Sequence, residues 1–306
     1  MRVTSTIGTE SVGIPSSPSA VVEAAAAAER QGFRSAWCTH FSRGIDSLTV
    51  LAAAATATTS IELGVGVIPT FPRHPVALAQ SAATVQSLSG GRLVLGVGVS
   101  HRPVIEAMHG LDYSDQLGHM REYLTVLGGL LTDGAISFQG THYRVDASIH
   151  IPAASAVPVV VGALAEGMSR VAGEFADGVT TWLAGPRSLE QVVVPAVTDG
   201  AVRAGRRDPR VVAAVPVAVD SDAARAAEAA DRVFALYGTL ANYQRLFERE
   251  GVDRPSQLAV VGSEETVTAG LGALFAAGAT DVWAIPFDTG NGTDATQSLL
   301  ARLAVS

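Results

Sequence analysis

Three places in this 306-residue chain put groups capable of chemistry at the end of an apolar run. The first is His40, which follows Ser35–Thr39. Its imidazole titrates near neutrality and makes it a candidate proton donor or acceptor, although a rim histidine satisfied by a neighbouring strand would read the same way. The second is Val99-Ser100-His101, closing the run from Leu93; His101 carries the same double reading, as does His74. The third is Gly162-Ala163-Leu164 leading into Glu166-Gly167-Met168. A strand turning into a helix there aims backbone N–H groups at one point and could hold a phosphate without a basic side chain. An ordinary β–α turn has the same residues, and Glu166 in the first helical turn would compete with an anion.

Other chemistries are excluded by what the chain lacks. It contains no lysine, which removes Schiff-base and phosphate-loop lysines. No His-x-His stands on the first strand and no His/Cys/Asp cluster has metal-ligand spacing, so a metallohydrolase is not expected. Gly96-Val97-Gly98 lacks the third glycine of a dinucleotide fingerprint, and no G-x-S-x-G elbow occurs. The lone Cys38 permits no internal disulfide, fits a reducing cytoplasm, and reads as core rather than nucleophile. His109, His119, His142 and His150 fall in a long excursion and read as surface. A net charge of −8 argues against nucleic acid and anionic membrane as partners. The most apolar long stretch, 147–165, is broken by His150, Pro152 and Pro158 and is no membrane span. MRVTSTIG enters a strand at once, so no signal peptide is expected.

The elements that must position these groups are clearest in Ile61–Ser100, which reads as strand, helix, strand. Both strands are apolar on both faces, as parallel strands under helices are, and both carry Gly-Val-Gly-Val. Glycine inside a strand marks a bulge or a close approach, and two such strands side by side suggest a flat ligand across their ends. Alternation continues on either side. Arg2–Ile7 reads as a strand, Ser19 as the cap of a helix through Gln31, and Ser35–Thr39 as a strand before a helix over 46–58. After strand four comes an excursion (100–157) with a helix near 116–131 and a hairpin around 136–145. Strands follow at Val159–Val161, Val179–Trp182, Val211–Val219 and Val282–Pro286, each with a helix, and a second, mostly helical excursion spans 222–262. With 48% hydrophobic and 16% charged residues, eight strand–helix units predict a single (β/α)8 TIM barrel over 1–306, with insertions after strands four and seven. A doubly wound sheet is the rival and seldom needs eight units in a row.

Read together, ERQGFRSAWCTHF, the stretch Ile61–Ser100, FQGTHYRV and VPVVVGALAEGMSRVAGEFADGV resemble the successive signatures of the luciferase-like monooxygenase superfamily. The closer likeness is to its oxidoreductases that use the deazaflavin coenzyme F420. The resemblance implies a homodimer of barrels with F420, or FMN in the alternative, over the strand ends. It implies a bulge with a non-proline cis peptide at Gly66-Val67, phosphate binding at Gly162, Ala163, Leu164, Gly167 and Met168, cofactor contacts at Thr39, Val99, Ser100 and His101, and an active-site histidine at His40. Two positions depart from the family pattern: Thr39 stands where an acidic residue often precedes the histidine, and Glu166 where a proline often opens the helix. The expected activity is hydride transfer between reduced deazaflavin and a small organic substrate. An FMN-dependent monooxygenase with a partner reductase, and a barrel that binds cofactor without turnover, are the alternatives.

Overall fold

The computed structural model describes residues 1–8, 12–14, 16–152, 155–206 and 208–305. Its strands are β1 (Val3–Thr6), β2 (Ser35–Thr39), β3 (Glu62–Pro69), β4 (Leu93–Gly98), β5 (Ala135–Gln139), β6 (Arg144–Ser148), β7 (Val159–Gly162), β8 (Gly178–Trp182), β9 (Arg210–Val219), β10 (Val260–Gly262) and β11 (Asp281–Pro286). Strands β1, β2, β3, β4, β7, β8, β9 and β11 pair in parallel, and a β8–β9 pairing closes them into the expected barrel. The helices are α1 (Pro18–Arg30), α2 (Ser47–Ala57), α3 (Pro75–Ser89), α4 (Gln116–Asp133), α5 (Glu166–Phe175), the short α6 (Pro186–Ser188), α7 (Val194–Arg203), α8 (Ala223–Val233), α9 (Ala241–Glu250), α10 (Glu264–Ala276) and α11 (Asp294–Val305). No helix among the described residues is long and apolar enough to cross a membrane.

Helix boundaries follow local chemistry. Ser17, not Ser19, caps α1: its Oγ accepts the Ala20 N–H at 3.1 Å. Pro18 takes the first helical position, where its missing N–H costs nothing, and it holds the preceding residue extended. Pro75 opens α3 in the same way, and Gly90 ends it in the left-handed region that glycine adopts freely. The excursion after β4 carries the antiparallel hairpin β5–β6 where it was expected. The second excursion differs from expectation: β10 is a short parallel strand extending the sheet along the end of β9, with Val260 opposite Val217.

The amino-terminal end of the barrel is plugged by its own side chains. Arg210 Nη2 reaches Glu62 and Asp281 at 2.7 Å each, Arg2 pairs with both carboxylates, and the Trp37 indole N–H donates to Glu62 at 3.4 Å. Above this floor Trp37 and Trp283 fill the interior with ring centroids 5.6 Å apart. A Cβ on Gly64 would lie 2.2 Å from the Trp37 ring and one on Gly66 2.5 Å from that of Trp283. These two glycines therefore make room for the barrel's own indoles.

Candidate functional site

The carboxyl ends of the strands gather the groups that the sequence singled out. His40 follows β2, and the chain returns at Asp46 to start α2. The Asp46 carboxylate accepts the Thr49 N–H at 2.9 Å, capping the helix, and pairs with Arg73 at 2.7 Å. This fixes Ser47, whose Oγ lies 2.8 Å from His40 Nδ1. The hydroxyl can give or accept, whereas the Ser47 N–H, 3.5 Å from Nδ1, only donates and favours the tautomer with the proton on Nε2. His40 Nε2 has no partner among the described residues. Burial lowers the pKa of this imidazole below 6.5; nearby Asp46 pulls it up and Arg73 pushes it down. At neutral pH the ring is uncharged.

Beside it lies the bulge. Thr39 is in register with Gly66, and the β3–β4 register shifts between Val65 and Ile68. The Gly66–Val67 peptide is cis, as the resemblance implies. A Cβ on Gly98 would sit 2.6 Å from Val67 Cγ2 and one on Gly162 3.3 Å from it. Val67 thus lies across β4 and β7, and Gly66, Val67, Gly98, Gly162 and Thr39 come together in one patch. After β4, Ser100 turns the chain at φ 62°, held by a Tyr113 hydroxyl that donates to its carbonyl at 2.7 Å. The His101 ring lies 6.0 Å from that of Tyr243, and burial lowers its pKa. Val99 packs against the core.

The β7–α5 turn leaves donors free over a range that includes Leu164, Gly167 and Met168 but not Ala163. Ala163 N–H is committed to the Thr180 carbonyl at 3.1 Å. Ala165 caps α5 in an extended conformation with no side-chain bond. Among the described residues, the N–H groups of Leu164, Ala165, Glu166, Gly167 and Met168 make no hydrogen bond. Such a helix start attracts anions. The Glu166 carboxylate does not fill it, because that side chain turns to Arg170 at 2.6 Å. The last residues of α9 reach over this turn. Arg249 Nη1 donates to the Leu164 carbonyl at 3.0 Å, and Glu250 accepts the Ser188 N–H at 2.7 Å.

The surface reading of His119 is overturned, and several residues were missed. His119 is not a surface residue: it is 4% exposed, bonded through Nε2 to Thr70 Oγ1 at 2.9 Å and stacked on Phe71 at 3.9 Å. It shares a helical face with Met120, Tyr123 and Leu127, a periodicity that was there to be read. Cys38 is core as expected. Ser47, Arg73 and Arg249 went unnoticed. Ser47 is set against His40 by a loop whose course no sequence pattern encodes, and Arg249 lies 85 residues from its partner Leu164. No group of three or more His, Cys, Asp or Glu that could hold a metal occurs among the described residues.

An uncapped helix start, a free imidazole nitrogen and a bulged strand at the carboxyl mouth of a (β/α)8 barrel define a protein built to do chemistry at its strand ends. Residues 1–281 match the luciferase-like monooxygenase family, and the chain belongs to it. It is 32% identical over 253 residues to a 5,10-methylenetetrahydromethanopterin reductase from Methanolobus tindarius, covering 81% of this chain and 76% of that one. It is 34% identical over 204 residues to an F420-dependent glucose-6-phosphate dehydrogenase from Nakamurella multipartita, covering 62% and 60%. The solved coenzyme F420-dependent tetrahydromethanopterin reductase from Methanopyrus kandleri superposes with a TM-score of 0.81 at 24% identity, over 98% of this chain and 96% of that one, a likeness of fold.

Proposed function

We propose that this chain is an F420-dependent oxidoreductase moving a hydride between the deazaflavin and a small organic substrate. The observation that carries the reading is the free helix start of α5 at the same mouth as the Gly66–Val67 bulge and the unpartnered Nε2 of His40. These residues suit a group with a planar ring and a phosphate. Leu164 to Met168 would hold the phosphate through backbone N–H groups. Thr39, Gly66, Val67, Gly98, Gly162 and the 99–101 turn would support the ring. When bound, the deazaflavin supplies hydride transfer, because a carbon replaces the ring nitrogen that supports oxygen and one-electron chemistry.

The protein's own part is orientation and proton handling. The base role needs the tautomer with Nδ1–H donating to Ser47 Oγ, which gives up the long 3.5 Å Ser47 N–H contact to Nδ1; the Nε2 lone pair can then take a proton from a substrate hydroxyl or amine. A depressed pKa keeps that base ready at neutral pH, so substrate oxidation should rise with pH and level off by neutrality. The reverse direction needs the protonated ring and should fall as pH rises through the same pKa. An FMN-dependent monooxygenase with a partner reductase is the second reading, favoured by the family's description. Side-by-side titrations of the purified protein with F420 and FMN separate the two. Tighter binding of F420 is the expected result; selective binding of FMN would transfer the reading to the monooxygenase.

A further inference from the structure

Arg249 stands apart among the partly buried arginines. Arg73, Arg170, Arg210 and Arg225 each pair with a carboxylate. Arg92 is saturated by the carbonyls of Ala55, Thr58, Ile61 and Ser89 and the hydroxyl of Thr58. Arg249, equally half-buried, has no carboxylate partner among the described residues and makes a single side-chain hydrogen bond, to Leu164 O at 3.0 Å. A half-withdrawn guanidinium carries five donors and a charge that water screens only in part, so it calls for an anion. No other cationic side chain among the described residues hydrogen-bonds the backbone of the β7–α5 turn.

Its placement is fixed from two sides. The Arg187 guanidinium donates to the Arg249 carbonyl at 3.1 Å, and the neighbouring Glu250 carboxylate accepts the Ser188 N–H at 2.7 Å. The end of α9 is thereby fastened to the loop after β8 as well as to the loop after β7. The nearby Arg170 is no rival, because Glu166 and Asp199 already neutralise it. We propose that Arg249, carried in by the second excursion, is the cation that neutralises the cofactor's phosphate at the start of α5. This rests on the reading that a phosphate-bearing cofactor occupies the mouth. Backbone N–H groups would supply direction and Arg249 the charge, a pairing suited to a chain without lysine.

The test is a set of fluorescence titrations of wild type, Arg249→Gln and Arg249→Met with two ligands: F420, and the deazaflavin riboside that lacks the phosphate. The methionine variant keeps the stem's packing and serves where the glutamine variant fails to fold. Loss of one charge-assisted contact should weaken F420 binding by about 10- to 100-fold and riboside binding by less than about 2-fold. Unchanged F420 affinity overturns the proposal. So does an equal loss for both ligands, which would make Arg249 a clamp between loops. A wild type that binds neither deazaflavin but does bind FMN sinks the deazaflavin reading alone. FMN and riboflavin then form the ligand pair, and the same split is expected of Arg249.

Discussion

The two ends of the barrel answer the same physical demand in opposite ways. At the amino-terminal end the charges are paired with one another: Arg210 and Arg2 share Glu62 and Asp281, and the Trp37 indole N–H joins them. At the carboxyl end, among the described residues, the helix start of α5 has no side-chain cap, His40 Nε2 has no partner and the Arg249 guanidinium bonds only a carbonyl. Groups left without protein partners at the strand ends are the ones a ligand could complete. One end holds the fold together.

The largest expected effect breaks the open end. His40→Asn should lower turnover of a surrogate ketone or imine by roughly 10²–10⁴-fold, the usual range for a positioned acid or base, with little change in F420 affinity. Turnover within a few-fold of wild type would reduce His40 to a packing residue. At the closed end, Arg210→Met should cost about 3 kcal/mol in denaturant unfolding, because it strips a partner from the buried Asp281, while Arg2 still reaches that carboxylate. Cofactor affinity should not move. A stability loss confined to a few tenths of a kcal/mol would mean that the plug is ornamental.

The fold was legible because periodicity and glycine breaks mark strands and helices directly. His40, the bulge at Gly66-Val67 and the start of α5 were legible because each stands at the end of an apolar run. What escaped depends on chain paths that no periodicity encodes: Ser47 reaches His40 across a loop, and Arg249 meets Leu164 from a distant helix. The glycines of β3 show the same dependence on chain path. They signalled a close approach correctly but not by what, since Trp37 and Trp283 are far away in sequence. His119 was misplaced by giving its excursion more weight than its helical register.

His119 offers a smaller and pH-dependent probe. Burial lowers its pKa from 6.5 to about 4, with the His142 charge adding to the shift. The unfolded chain therefore binds a proton that the folded one refuses. Stability present above pH 6.5 is lost as pH falls, by about 2 kcal/mol between pH 7.5 and 5. His119→Gln should flatten that slope relative to wild type in paired unfolding curves; parallel slopes would mean that this imidazole does not titrate on unfolding. The smallest effect belongs to Gly162→Ala. Its new Cβ meets Val67 at 3.3 Å, so it should cost about 1 kcal/mol and weaken the cofactor by displacing Val67. Wild-type F420 affinity in that variant would separate Val67 from the ring's support.

The most direct measurement of the central claim is a crystal structure of the protein with F420. The account predicts the phosphate on the N–H groups of Leu164 to Met168 with Arg249 beside it, and the ring against Val67 within reach of His40 Nε2. A phosphate bound elsewhere, or a ring on the far side of the barrel from His40, would contradict it.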